Sequence, residues 1–320
     1  MILTCGDALI DFVPVAARDG SEAARPVVGG SCLNVAVGLA RLGIPTGFVG
    51  GISNDLFGRM IAEHALASGV DLRYATRSDR QTTLAFVRHV AGESQYAFYD
   101  AGTASRAWTY QQGAIPFEFI DVVHIGSTTL VNEHGAAETA AMIADARPRA
   151  TISFDPNCRP NLVKDKEVYC ARMSMFAANA DIIRMSDVDF NYLYGEEAYA
   201  ARAESFLAKD SGLFVVTRGM IGAEAWHRNT GPIAVGAPVV DVVDTIGAGD
   251  SFQSALLFAL HFQGRLARHR LAELGIDELR LALSFACNCA ALTCMRVGAD
   301  PPRRGEITWV GQDLSGSKAS

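Results

Sequence analysis

Apolar residues along the chain fall into two recurring patterns. Short apolar runs bounded by turn residues read as buried strands of a parallel sheet, and apolar positions spaced i, i+3, i+4, i+7 read as helices packed on it. Residues 2–9 form the first run. A helix follows from Ser31, with its buried face at positions 32, 35, 36, 39 and 40 and its stop at Gly43 and Pro45. Residues 46–51 predict a strand and a helix opens near Asn54-Asp55. Residues 120–126 and 150–155 are two more strands, and the helix between them, about 133–146, makes a βαβ crossover. Residues 180–195 read as strand then helix, 213–226 as strand, tight turn and strand, and 233–243 as a β-rich run. A helix then carries Phe252, Ala255, Leu256, Ala259 and Leu260 on one face, and 281–292 is apolar on nearly every side, hence a buried helix.

Residues 74–107 change character. Segments 82–90 and 94–99 flank Ala91-Gly92-Glu93, a hairpin turn, and Gln95, Ala97 and Tyr99 alternate with Tyr96 and Phe98. This predicts a two-stranded projection over a cleft. No repeat or low-complexity linker divides the chain, so 1–320 reads as one α/β domain, with a frayed tail after Gly311.

The most informative turn is Asp244-Thr-Ile-Gly-Ala-Gly-Asp250, which opens the helix carrying Phe252. A helix start presents unpaired N–H groups and roughly half a positive charge. Gly247, Ala248 and Gly249 therefore make a main-chain anion site that a phosphate can approach closely. Asp250 would repel a phosphate merely held there; it makes sense as the base that takes a proton from an attacking alcohol. Taken alone, the turn could be an ordinary capped helix start. A dinucleotide loop is disfavoured because Phe252 replaces the third glycine, and no Gly-Lys-Ser/Thr follows for a Walker loop.

Other polar residues stand out against apolar surroundings. Asp11 either caps a turn or binds hydroxyls of a small polyol, because a purposeless carboxylate there is costly. Gly29 and Gly30 precede the Ser31 helix, and Asn34 lies off its buried stripe, free to face a cleft. Arg159 ends Asp155-Pro-Asn-Cys-Arg after a strand, where ligands of open α/β sheets collect. Ser186 and Asp189 could be a capping pair.

A net charge of −7 and a pI near 5.5 disfavour nucleic-acid or anionic-membrane partners. The 7 cysteines show no CxxC pair and read as free thiols of a reducing cytoplasm, and no histidine spacing suggests a metal cage. No run approaches the roughly 20 apolar residues of a membrane span, and the first residues lack the basic region of a signal peptide.

Two motifs together are specific. Asp244-Thr-x-Gly-Ala-Gly-Asp250 resembles the C-terminal signature of the PfkB-type, ribokinase-like carbohydrate kinases, and Gly29-Gly-x-x-x-Asn34-x-Ala resembles their N-terminal one. The resemblance covers about residues 3–302 and implies a three-layer α/β/α sandwich around a mostly parallel sheet. It also implies a small β-sheet lid from about 11–30 and 74–107. It implies an ATP-dependent kinase with the phosphates on Gly247 to Asp250 and sugar contacts at Asp11, Gly29, Gly30, Asn34 and Arg159, and Arg88, Tyr99 and Arg106 of the lid as candidate contacts. Ser186, Thr217, Gly219, Gly222, Thr245 and Asn288 would serve the nucleotide. Asp189 would hold Mg2+ through water, and Asp244 and Ile246 match positions that hold a monovalent cation such as K+. Asp155-x-Asn-x-Arg159 resembles the fructokinase and 2-keto-3-deoxygluconate kinase branch, and Asp100 speaks for a neutral ketohexose. Ribokinase or nucleoside kinase activity, and a catalytically silent sugar- or nucleotide-binding protein, stand as alternatives. The lid implies a homodimer paired through its open strand edge.

Overall fold

The computed structural model describes residues 1–17, 19, 21–90, 93–208 and 212–308. The chain begins with β1 (Ile2–Cys5), β2 (Leu9–Ala16), β3 (Glu22–Gly29), α1 (Ser31–Arg41), β4 (Thr46–Ser53), α2 (Leu56–Ala67) and β5 (Ala75–Ser78). It continues through β6 (Thr83–Val90), β7 (Glu93–Tyr99), β8 (Val122–Gly126), α3 (Glu133–Ala146), β9 (Thr151–Asp155), α4 (Lys166–Ala178) and β10 (Ile182–Ser186). Then come α5 (Asp187–Tyr194), α6 (Tyr199–Leu207), β11 (Leu213–Thr217), β12 (Ala223–His227), β13 (Gly231–Val235), α7 (Ala248–Phe262), α8 (Arg268–Leu271) and α9 (Ile276–Cys294).

A nine-stranded sheet runs in the order β13-β12-β11-β10-β9-β8-β1-β4-β5. Pairing is parallel from β5 to β11 and antiparallel only at β12 and β13. Helices cover both faces, which is why β1, β4, β8 and β9 are buried end to end. On one face Met142, Tyr169, Met173, Phe176, Phe190 and Phe206 pack from α3 to α6. On the other, Val35 and Leu39 of α1 meet Leu256, Leu260 and Leu283 of α7 and α9. The expected three-layer α/β/α sandwich is the fold.

A second sheet, β3-β2-β6-β7, stands beside the first. Only 83–99 of the 74–107 segment enters it, because Ala75–Ser78 pairs with β4 as the edge of the main sheet. Phe12 anchors the small sheet edge-on against Phe57 of α2, with ring centroids 5.6 Å apart. Val90 pairs with Glu93 across the hairpin, whereas turn residues Ala91 and Gly92, like the tail after Gly311, lie outside the described residues.

One expectation fails locally. The β-rich run 233–243 is strand only as far as Val235. Gly236 and Pro238 end the ladder, since proline has no N–H to give it, and Val239, Val242 and Val243 are exposed.

Parallel strands deliver their C-terminal ends to one edge. Asp7 follows β1, Ser127 follows β8, Asp155 ends β9, Ser186 ends β10 and Thr217 ends β11. The N-termini of α1 and α7 open at that edge too, and this is where the polar residues of the interior collect.

Candidate active site

Gly247 caps α7 in the left-handed region, at φ 75 and ψ 0, and no side chain caps that terminus. A Cβ there would lie 2.6 Å from the Ala299 methyl, so only glycine fits. Apart from the Ala248 N–H, which donates to the Thr245 carbonyl at 3.3 Å, the first amides of this 15-residue helix lack an intrahelical partner. On the facing element, Gly30 precedes α1 at φ 106, and a Cβ would come 2.4 Å from the Asp7 carbonyl. A Cβ on Gly29 would collide with the Asp11 carboxylate at 2.1 Å. The double glycine lets β3 turn into α1 directly against the β1–β2 connection.

Asp250 sits between the two helix starts, 7% exposed. Ser31 Oγ donates to its Oδ1 at 2.6 Å and Asn34 Nδ2 to its Oδ2 at 2.8 Å. Burial pushes the Asp250 carboxyl above the usual carboxylate range, the hydrogen bonds from Ser31 and Asn34 pull it back, Asp155 adds to the rise and Arg159 opposes it. Asp11 is pushed up to about 7 by burial, with Arg159 opposing and Asp7 and Asp250 reinforcing.

Two cavities meet here. The smaller, about 210 Å³, is lined by Asp7, Leu9, Asp11, Gly30, Ser31, Asn34, Phe98, Ser127, Thr128 and Asp250. The larger, about 560 Å³, is lined by Arg184, Ser186, Asp189, Thr217, Gly219, Gly222, Ala248, Phe252 and Cys287. Asn157, Arg159, Thr245 and Gly249 belong to both. Arg159 Nη1 is held by the carbonyls of Asn157 and Cys158 at 3.2 and 2.9 Å, which aims the guanidinium along their shared wall.

Some expected residues lie outside the two cavities, and others hold structural contacts. Strand alternation turns Phe98, not Tyr99, toward the small cavity; Tyr99 is 64% exposed and packs edge-on to Phe86 on the opposite face. Position 88 shares the row of Phe86 in the register, and the Arg88 side chain lies outside the described residues. Arg106 is committed to Asp100 through Nε at 2.8 Å and to the Thr128 carbonyl, and it lines neither cavity. Asn288 is exposed, and Cys287, one residue and about 100° of helix earlier, faces the larger cavity instead. Ser186 and Asp189 form a capping box on α5: Ser186 Oγ accepts from the Asp189 N–H at 3.0 Å, while Asp189 Oδ1 accepts the Cys158 N–H at 2.9 Å. Asp244 accepts the N–H groups of Ile246 at 3.0 Å and Gly298 at 2.8 Å, tying two loops together.

Sequence reasoning missed Asp7, Ser127, Thr128 and Arg184. Asp7 Oδ2 accepts from Ser127 and Thr128, both at 3.1 Å, and Ser127 has a left-handed φ of 64. For Asp7, Ser127 and Thr128 the available signal was position, since each follows a parallel strand at the edge where ligands bind, whereas Arg184 lies inside β10 and carried no such signal. Among the described residues no group of three His, Cys, Asp or Glu could hold a metal by itself, and no helix is long and apolar enough to cross a membrane.

The model of the pfkB family carbohydrate kinases matches residues 1–304. The chain belongs to this family. Among its relatives in the pfkB family, a fructokinase of Rhizobium leguminosarum bv. trifolii is 36% identical over 280 residues, covering 88% of this chain and 86% of that protein. The crystal structure of a Xylella fastidiosa fructokinase with bound ATP superposes with a TM-score of 0.85 at 27% identity, covering 93% of each chain. A Vibrio cholerae O395 fructokinase bound to fructose, ADP and calcium superposes with a TM-score of 0.79 at 26% identity, covering 93% of this chain and 94% of that one. This pfkB-family chain is therefore a carbohydrate kinase, and its paired cavities are where the chemistry of such a kinase has to be sought.

Proposed function

We propose that the protein transfers the γ-phosphate of ATP to a hydroxyl of a small neutral sugar, fructose foremost, giving fructose 6-phosphate. The observation that carries this reading is the junction of the two cavities at the amide turn, with the Asp250 carboxylate on the acceptor side. The larger cavity takes the nucleotide, its phosphates on the N–H groups of Gly247, Ala248 and Gly249 with Thr245 beside them. The smaller takes the sugar, held by Asp11, Asn34, Gly30 and Arg159.

The steps follow from the residues. Asp250, ionised, accepts the proton of the attacking hydroxyl as its oxygen reaches the γ-phosphorus in line with the leaving ADP. Ser31 and Asn34 keep the carboxylate aimed. The α7 amides and the Arg159 guanidinium stabilise negative charge on the phosphoryl oxygens. The small sheet excludes water as a competing acceptor. Divalent metal, Mg2+ in our reading, supplies further neutralisation of the phosphate charge when bound. The chain fits an ion carried by the nucleotide rather than a protein cage, with Asp187 and Asp189 as the acidic side chains lining that cavity.

Fructose is favoured over an acidic acceptor such as 2-keto-3-deoxygluconate by charge. Asp7, Asp11 and Asp250 line the small cavity against Arg159, the single cation among its described lining residues, and Arg106 is already neutralised by Asp100. Free cysteines at all described positions fit a reducing cytoplasm. A homodimer through the small sheet and a K+ site at Asp244 and Ile246 belong to the same reading. A coupled ADP-release screen over fructose, ribose, 2-keto-3-deoxygluconate and adenosine tests it, with sedimentation for the dimer and K+ titration for the cation. Turnover confined to an acidic sugar or a nucleoside would overturn the acceptor assignment. Nucleotide binding with no turnover on any alcohol would leave a binding protein.

A further inference from the structure

Arg184 is a guanidinium in the interior with three separate claims on it. It projects from the middle of β10, between β9 and β11, and its side chain is 5% exposed. Nη1 donates to Asp155 Oδ2 at 2.6 Å and Nη2 to Thr217 Oγ1 at 2.5 Å. The group lies 5.6 Å over the Phe252 ring, and Nε has no partner among the described residues. A Cβ on Gly249 would come 2.9 Å from Nη1 and 3.0 Å from Nη2. The second glycine of the turn is therefore small because this guanidinium rests against it, not because of its backbone angles.

Each contact leads to a different part of the site. The second oxygen of Asp155 accepts the Asn157 N–H at 3.0 Å, and Asn157 begins the strained bend, φ 40, whose carbonyl holds Arg159. Thr217 lines the nucleotide cavity, and Gly249 belongs to the phosphate turn. A salt bridge buried this deeply is seldom retained for stability, since desolvation consumes most of the Coulombic gain. Lysine, with one ammonium and no planar fork, could not hold Asp155 and Thr217 in these two directions at once.

We infer that Arg184 is a positioning residue for phosphoryl transfer, clamping Asp155, which holds the Asn157–Arg159 bend common to both cavities, and Thr217 on the nucleotide side against Gly249. The two substrates are thereby held at one fixed separation. This deepens the kinase reading above and rests on it. Arg184 also offsets the negative charge of Asp155, which lies close enough to Asp250 to raise its proton affinity. The charged and polar groups around Asp250 are Ser31 and Asn34 from α1, Asp155 and Arg159 from β9 and its loop, and Asp11 from β2.

The test compares R184K, R184M and R184M/D155N with the unmodified enzyme, using ATP calorimetry, steady-state kinetics with the best acceptor, and the pH dependence of kcat/KM. R184K keeps a cation beside Asp155 and should fold. It is expected to bind ATP several-fold more weakly through loss of the Thr217 contact and to turn over about tenfold more slowly, with the acid limb unmoved. R184M is expected to lose about 10²-fold in turnover, the scale of a small misplacement of reacting groups. Its acid limb should move to higher pH, and R184M/D155N should return the limb toward its original place without restoring turnover. A merely structural role would lower melting temperature and active fraction but leave the limb where it was. R184K with ATP affinity and turnover within twofold of the unmodified enzyme overturns the proposal, as does R184M with a normal limb. Absence of turnover in the unmodified enzyme would instead strike the kinase reading, and calorimetry of R184K would still decide whether Arg184 orders the nucleotide side.

Discussion

Asn34 Nδ2 reaches Asp250 Oδ2 at 2.8 Å although 216 positions separate the two residues. The bond joins the first turn of α1 to the first turn of α7, so two helix N-termini converge on one carboxylate. Replacement of Asp250 by asparagine should leave the fold and ATP binding intact and reduce turnover by about 10² to 10⁴. Rapid-quench measurement of phosphoryl transfer checks it; turnover within a few-fold of normal would remove Asp250 from the role of base.

The same substitution has a stability consequence. Burial raises the Asp250 carboxyl above its value in an unfolded chain. A raised carboxyl keeps its proton in the folded state over a pH range where the unfolded chain has lost it. Stability therefore falls as pH rises from the ordinary carboxylate value to the raised one, and the deficit persists at neutral pH. Asp250→Asn should melt at an equal or higher temperature than the unmodified protein at pH 7, and the gap should close in acid. A lower melting temperature at pH 7 would contradict this.

Asp11, raised to about 7, predicts a pH-dependent acceptor affinity. Its ionised form accepts hydroxyl donors better, so the sugar KM should fall as pH rises through about 7 while the ATP KM stays level. Asp11→Asn should flatten that dependence and hold the sugar KM high. Parallel changes in both KM values would show that some group other than Asp11 governs the titration.

Gly247→Ala forces a side chain into the left-handed region and against Ala299. Strain of this kind is worth about 1 to 3 kcal/mol, measurable by urea denaturation, and the displaced amides should weaken ATP binding in the same variant. Unchanged ATP affinity would mean the phosphates do not rest on this turn.

Ser186→Ala removes one half of the α5 capping box and should cost about 1 kcal/mol without altering magnesium activation. Asp189→Ala also strands the buried Cys158 N–H, adding about 1 to 3 kcal/mol, and should lower turnover through the Arg159 loop. A shifted magnesium activation curve in Asp189→Ala but not in Ser186→Ala would assign Asp189 to the metal as well as to the cap.

The layered α/β architecture and the helix faces were legible because glycine-punctuated helix starts and buried apolar runs are local signals, and the meeting of Asn34 with Asp250 followed from two motifs that resemble one family. Single-residue choices were not. Phe98 and Tyr99 carry similar rings, and only the pairing of Phe98 with Ala85 decides which one faces the cavity. Asn288 is the polar residue of its helix and drew the assignment, yet the helix presents Cys287 to the cavity and leaves Asn288 to solvent. Arg184 sits in an otherwise apolar strand, and its partners Asp155 and Thr217 are distant in sequence, so nothing local announces the clamp. Residues 236–243 read as strand because valine is frequent there, but among the described residues the ladder with β12 ends at Val235.

The two cavities draw on different parts of the chain. The walls of the smaller come mostly from residues before 130, in the loop after β1, β2, the start of α1, β7 and the loop after β8. The larger is built almost entirely after 157. Acceptor preference could thus be re-engineered by exchanging the first third of the protein, with the donor machinery untouched. Only the bend at 157–159 and the turn at 245–250 would have to be preserved as a common hinge between old and new halves.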